Sequence, residues 1–327
     1  MRSCNSSAIL LFLSLLPSVS LANDTEGENF IIEDLLDSYE WHITSIGSKN
    51  ITIPLPVILI SSNYDFDLFL SNKFRDNHGH VSAYRGYIID NGKIISVDGR
   101  SFIDLSITKN VLYMFISMLI LLMIAFHSVT WYKKKSYDVA PNGLISVVEM
   151  LVLYVKDEVA IPNIGVKYYR RFMPYLLTVF FFIFLNNLLG LLPGAANVTG
   201  NISVTFCLAL LSFGTVLFSS TKHYWKHTLM PDVPIALMPI MIPIEIVGLL
   251  TKPMTLMIRL FANITSGHIV LLSIINLIFV FQSYYVGIGC TVLNVFMIIL
   301  KVLVSFLQAY VFTLLSSIYI GDAVKHG

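Results

Sequence analysis

Four ionisable residues, Glu245, Lys252, Arg259 and His268, stand inside a stretch from Ile235 to Phe281 that is otherwise almost unbroken apolar sequence. An ionisable group in a membrane-length segment is costly, so each is a candidate functional residue. Arg259 is the extreme case. Its guanidinium keeps its charge at any physiological pH and cannot escape by losing a proton. On a helix of ordinary rise it would lie about 36 Å from either end, too far to snorkel to water. The charge therefore requires a protein partner or a watery cavity.

Steps of seven return nearly to one helical face, off by about 20°. Glu245, Lys252 and Arg259 are spaced by seven, and Asn263 follows Arg259 by four. A continuous helix would align them in one stripe. His268 falls about half a turn around and about 13 Å farther along than Arg259. In the next apolar run Asn294, Lys301 and Gln308 are again spaced by seven, with Ser305 between the last two.

Such lines admit two readings. In one they are interhelical glue, with polar side chains hydrogen-bonding and nothing moving. In the other they carry protons. His268 titrates near neutrality, and Lys301, out of water, becomes a group able to trade protons. A permanent cation beside two titratable groups suits proton handling.

The elements that must position these residues are long. As one helix, Ile235–Phe281 would run to about 70 Å, and Tyr285–Ile320 to about 54 Å, against a hydrocarbon core of about 30 Å. They either break into extra passes or tilt steeply. Pro234, Pro239, Pro243 and Pro253 crowd the first of them, which predicts irregularity or an interfacial start there.

Composition agrees: 56% of residues are apolar and 13% charged, the profile of a polytopic membrane protein. The net charge of +1 hides an asymmetry. Asn23–Leu105 holds thirteen acidic and six basic residues, whereas Ser106 onward holds seven and fourteen. Residues 1–22 have the order of a secretory signal, with cleavage expected after Ala22. Residues 23–105 read as an extracytoplasmic soluble segment. Phe30–Ser45 has helical spacing there, and Val57–Leu105 reads as short strands with turns at Asn91-Gly92 and Asp98-Gly99.

Residues 106–327 form the membrane domain, with spans expected at about 109–131, 172–192, 202–220, 235–281 and 285–320. Residues 142–160 read as an amphipathic helix on the inner surface. Lys133-Lys134-Lys135, Lys167, Arg170, Arg171, Lys222 and Lys226 fall on one side of such a layout, which makes that side, with Lys325, cytoplasmic. The fold class is thus an all-α polytopic membrane protein of about five transmembrane helices, the last two long and tilted. It adds one interfacial helix and the small front segment. Cys4, Cys207 and Cys290 imply no disulfide framework, and neither metal site, cofactor nor catalytic constellation is visible.

Arg259-Leu260-Phe261-Ala262-Asn263, running to Gly267-His268, closely resembles the signature of subunit a of F-type ATP synthases. So does Leu307-Gln308-Ala309-Tyr310-Val311-Phe312-Thr313-Leu314-Leu315. Glu245, Lys252-Pro253, Asn187-Leu188-Leu189-Gly190-Leu191-Leu192-Pro193-Gly194 and Asn201-Ile202-Ser203-Val204-Thr205 add to the likeness. It covers roughly residues 109–327, and the acidic front looks lineage-specific.

The resemblance implies a stator in a bacterial inner membrane, with no catalytic site of its own. Its partners would be a ring of c subunits, b-type peripheral stalk subunits, the remainder of the ATP synthase and the lipid bilayer; no nucleic acid is implied. Arg259 would face the ring. His268, Asn263, Lys301 and Gln308 match positions lining an outer half-channel, and Glu245 matches an acidic position at an inner exit. Bacterial relatives commonly carry Glu and His, and mitochondrial ones His and Glu, where this chain has His268 and Lys301. Its outer channel lacks that carboxylate. A secondary transporter would require internal repeats, and the sequence shows none. A structural anchor would make Arg259 replaceable.

Overall fold

The computed structural model describes residues 37–46, 49–61, 66–74, 82–90, 92–97, 99–134, 141, 143–191, 198–220, 238–281 and 283–325. The signal-like segment, Leu192-Pro193-Gly194 and the basic cluster around Lys222 lie outside them. Among the described residues, seven short strands precede the helices: β1 (Glu40–Ile46), β2 (Lys49–Pro54), β3 (Pro56–Ser61), β4 (Phe66–Leu70), β5 (Tyr87–Asp90), β6 (Lys93–Ser96) and β7 (Phe102–Asp104). All pair antiparallel, as β1–β2, as a three-stranded sheet ordered β4-β3-β7, and as β5–β6.

Of the helix expected over Phe30–Ser45, residues 30–36 lie outside the described residues, and from Glu40 onward the chain forms β1 instead. Trp41, Ile43, Thr44 and Ile46 favour a strand, and the adjacent β2 supplies the ladder that a lone amphipathic turn lacks. The turn expected at Asn91-Gly92 does form. Asp90 pairs with Lys93, leaving two residues for the connection, and Gly92 takes φ 73°, the left-handed value such hairpins require.

Strand alternation builds a small core of Tyr39, Val57, Leu59, Phe74, Tyr87 and Ile94. At its border the Tyr39 hydroxyl donates to Asp104. Burial, and the Asp104 carboxylate beside it, raise the Tyr39 phenol above its ordinary value.

Among the described residues, five helices are long and apolar enough to cross a membrane: α1 (Lys109–Lys134), α4 (Tyr169–Leu189), α5 (Ile202–Ser219), α6 (Met238–Phe281) and α7 (Tyr284–Lys325). Between α1 and α4 lie α2 (Leu144–Tyr154), a π-helical turn (Val155–Ala160) and the short α3 (Ile161–Ile164). α6 has 44 residues and α7 has 42, about 66 and 63 Å, so both must tilt to stay in the bilayer.

The prolines do not break α6 over its described length; Pro243 and Pro253 lie within a continuous helix. Each removes one ladder donor. In lipid the remaining backbone groups have no water to turn to, which favours keeping the helix.

α7 is the hub, packing against α4, α5, α6, the π turn and α3. Its second half buries Ala309, Phe312, Thr313, Ser316, Ser317 and Ile320. Small residues let neighbouring backbones approach closely where burial of apolar surface drives little in lipid. Two cross-links join them: Ser212 Oγ lies 2.8 Å from Ser316 Oγ, and Asn163 Nδ2 donates to Ser317 Oγ at 2.9 Å.

The expected amphipathic element therefore runs on to Ile164. Val155, Val159, Ala160 and Ile164 are buried in the main core, while Leu144, Val147, Met150 and Leu153 stay exposed.

Candidate functional site

The two polar lines meet. Asn263 Nδ2 on α6 donates to Gln308 Oε1 on α7 at 3.0 Å. Just beyond this bridge, α6, α7 and the end of α4 enclose a cavity of about 210 Å³. α6 contributes Asn263, Ser266 and Gly267, one helical face by their spacing; α7 contributes Lys301 and Ser305.

Lys301 is half-buried, and Gln308 is only 5% exposed. The lysine stem lies against Gly267: a Cβ there would be 3.4 Å from Lys301 Cε. Ser305 Oγ turns back to the Lys301 carbonyl at 2.7 Å.

The third wall was not recognised from sequence. Asn187, 4% exposed, lines the cavity from α4. Its Oδ1 accepts from Thr199 Oγ1 at 2.6 Å, while its Nδ2 has no hydrogen-bond partner among the described residues. An unmet donor costs free energy in a dry interior, so a polar cavity beside it is where a water would bind. The Asn186-Asn187 pair at the end of an apolar span was the available signal. On α7, outside this cavity, Asn294 Oδ1 is buried without a partner among the described residues.

Arg259 stands apart from this cavity. It is exposed, four residues or about 6 Å along the helix from Asn263. Among the described residues no acid forms an ion pair with it. The exposed apolar residues Val247, Leu250, Met254 and Ile258 run up α6 towards it. Tyr319 of α7 lies near it, and Lys252 Nζ sits 5.2 Å from the centre of that ring.

Of the other predicted residues, Glu245 is half-buried, lies about 21 Å along α6 from Arg259, and takes no part in the cavity. His268 continues α6 directly after Gly267, and its side chain lies outside the described residues.

The bridge makes a prediction. Gln308→Leu removes the acceptor of Asn263 and leaves a polar group unpaired at about 1–3 kcal/mol. The thermal midpoint of the detergent-solubilised protein should fall, whereas Gln308→Glu, which keeps an acceptor, should retain more of it. A Gln308→Leu midpoint equal to that of wild type would show that the bridge is incidental.

A family model described as ATP synthase A chain matches residues 111–321. A second, described as a domain of unknown function (DUF8433), matches residues 30–111. The chain is 42% identical over 252 residues to an ATP synthase subunit a of Chloroherpeton thalassium, covering 76% of this chain and 74% of that protein. An ATP synthase subunit a 2 of Chlorobaculum tepidum is 45% identical over 229 residues, 68% and 64% of the two chains. An ATP synthase subunit a of Pelodictyon phaeoclathratiforme is 46% identical over 230 residues, 68% and 67%. With the model covering most of the membrane helices, including both that carry the polar lines, this chain belongs to the ATP synthase A chain family, the bacterial subunit a of F-type ATP synthases.

Proposed function

We propose that this chain is the proton-conducting stator of the ATP synthase membrane sector and works against a rotating ring of c subunits. The exposed, unpaired Arg259 carries this reading. A charge at that depth is tolerable only with a partner or water, and no described residue of its own chain supplies an acid. A carboxyl group on a neighbouring ring would. As each ring carboxylate passes Arg259 it is held charged by the opposite charge; turned toward lipid, it must be protonated.

The cavity lined by Asn187, Asn263, Lys301 and Ser305 would form part of the outer half-channel. It has room for several waters, and His268 follows Gly267 directly on α6. Gln308 closes its inner end through Asn263. Glu245 would belong to the inner exit, with Arg259 separating the two halves because it cannot relay a proton. The membrane potential supplies about 2.3 kcal/mol per charge per 100 mV, which rotation passes to catalytic subunits elsewhere. This chain itself would carry no catalytic site.

In this reading residues 1–22 are a signal peptide, 23–105 lie outside the cytoplasm, 106–327 form the membrane domain and the C-terminus is cytoplasmic. The b-type stalk subunits would hold the stator still.

The water-filled half-channel can be tested with Ser305→Cys in the assembled complex. A membrane-permeant thiol reagent should label it and cut ATP-driven pumping severalfold while ATP hydrolysis continues or slows. Full labelling with pumping unchanged would remove this cavity from the proton path.

A further inference from the structure

The three-stranded sheet has two unlike faces. Register places Asp67 and Asp104 both opposite Leu59, on the side that holds the small core. There Asp67 pairs with Arg85, and Asp104 accepts from Tyr39. The other face receives Ile58 paired with Leu68, and Ile60 paired with both Phe66 and Ile103. Leu70 extends it. None of these residues is charged, and Phe66, Leu68, Leu70 and Ile103 are 61%, 57%, 51% and 63% exposed. Contiguous apolar surface of this kind is rare on a domain meant to meet only water.

Its attachment fixes its height. The ladder does not end at Asp104: Leu105 N donates to the Ile58 carbonyl at 3.0 Å and Ile107 N to the Pro56 carbonyl at 3.1 Å. Two residues later α1 begins, and its first turn is bonded to the same module. Lys109 N donates to the Ser38 carbonyl at 2.9 Å, and Asn110 N to Asp37 Oδ1 at 3.2 Å. Trp41 packs edge-on to Tyr113 at 5.4 Å.

α1 has 26 residues, about 39 Å against a core of about 30 Å, so its ends lie roughly 5 Å outside the hydrocarbon. The sheet's attachment to α1 is thus at headgroup depth. The apolar face runs through exposed Leu105 toward α1, where Phe115, Met118 and Leu119 are exposed for lipid.

We infer that the outer face of the β4-β3-β7 sheet is a membrane-seating surface, pressed into the headgroup boundary of the bilayer beside α1. An apolar face at this depth gains burial without a protein partner. It would brace the start of α1 against the membrane and set the front module's orientation.

The test is site-directed spin labelling in the assembled complex, reconstituted in phosphatidylcholine–phosphatidylglycerol vesicles, with Cys4, Cys207 and Cys290 replaced by alanine. Labels are placed at Leu68→Cys and Phe66→Cys, with Lys93→Cys on exposed β6 as the aqueous control. The ratio of collisions with oxygen to those with a water-soluble nickel chelate should be severalfold higher at 68 and 66 than at 93. A ratio equal to the control would place the face in water and overturn the inference. Labels immobilised and shielded from both reagents would overturn it in favour of a protein covering the sheet.

Discussion

Vesicles carrying Arg259→Ala in the assembled complex should show ATP-driven proton uptake at the background of vesicles without the complex. Two opposite charges about 4 Å apart attract by about 4 kcal/mol at an effective dielectric of about 20. That is about a thousandfold in the equilibrium for proton loss from a passing carboxyl group. In the stator reading, the ring acid then has no reason to release its proton at Arg259, and the stroke that depends on release stops.

Arg259→Lys tests the geometry separately. Lysine keeps a charge but not the planar fork, and as a desolvated amine it can give up its proton. It should recover little coupled pumping and admit a proton leak that arginine prevents. Normal coupled pumping by Arg259→Ala would end the stator reading outright. It would return the polar lines of α6 and α7 to the role of interhelical glue.

Gly321→Val should be the most damaging single change to stability outside the polar line. A Cβ at Gly321 would overlap the carbonyl oxygen of Asn163. That carbonyl is backbone, and the Asn163 side chain is tied down by Nδ2 bonds to the Val159 carbonyl at 2.8 Å and to Ser317 Oγ. Neither side can yield without opening the contact between α3 and the end of α7. Overpacking a tight contact costs about 1–3 kcal/mol, and valine, branched at Cβ, belongs at the upper end.

Alanine separates sterics from propensity. Gly321→Ala gains about 1 kcal/mol of helix propensity and should still lower the thermal midpoint of the detergent-solubilised complex. Gly214→Ala, where an added Cβ meets nothing within 4 Å, should leave the midpoint unchanged or raise it. A Gly321→Ala protein that melts and assembles like wild type would refute the close approach.

Much of this was legible before any coordinates. Arg259, Lys301 and Gln308 announce themselves because hydrocarbon penalises every charge and unpaired amide within it. The spacing of seven assigns Lys301 and Gln308 to one face of α7, and Ser305 falls beside them. The two-residue turn at Gly92 was equally readable, since its backbone requirement is local.

What stayed hidden depended on contacts between distant segments. That Asn187 walls the cavity follows from α4 packing against α7, a contact no local period encodes. The placing of Lys252 over Tyr319, and Glu245 outside the cavity, likewise follows from where α6 crosses α7. Gly321 reads as an ordinary helix glycine until Asn163 is set beside it. Local sequence thus determined which residues share a face and which of them lipid could not tolerate, because those depend on helical period and solvent. Tertiary structure alone decided which faces meet, because that is settled by small residues such as Ser316, Ser317 and Gly321 admitting neighbouring helices to contact distance.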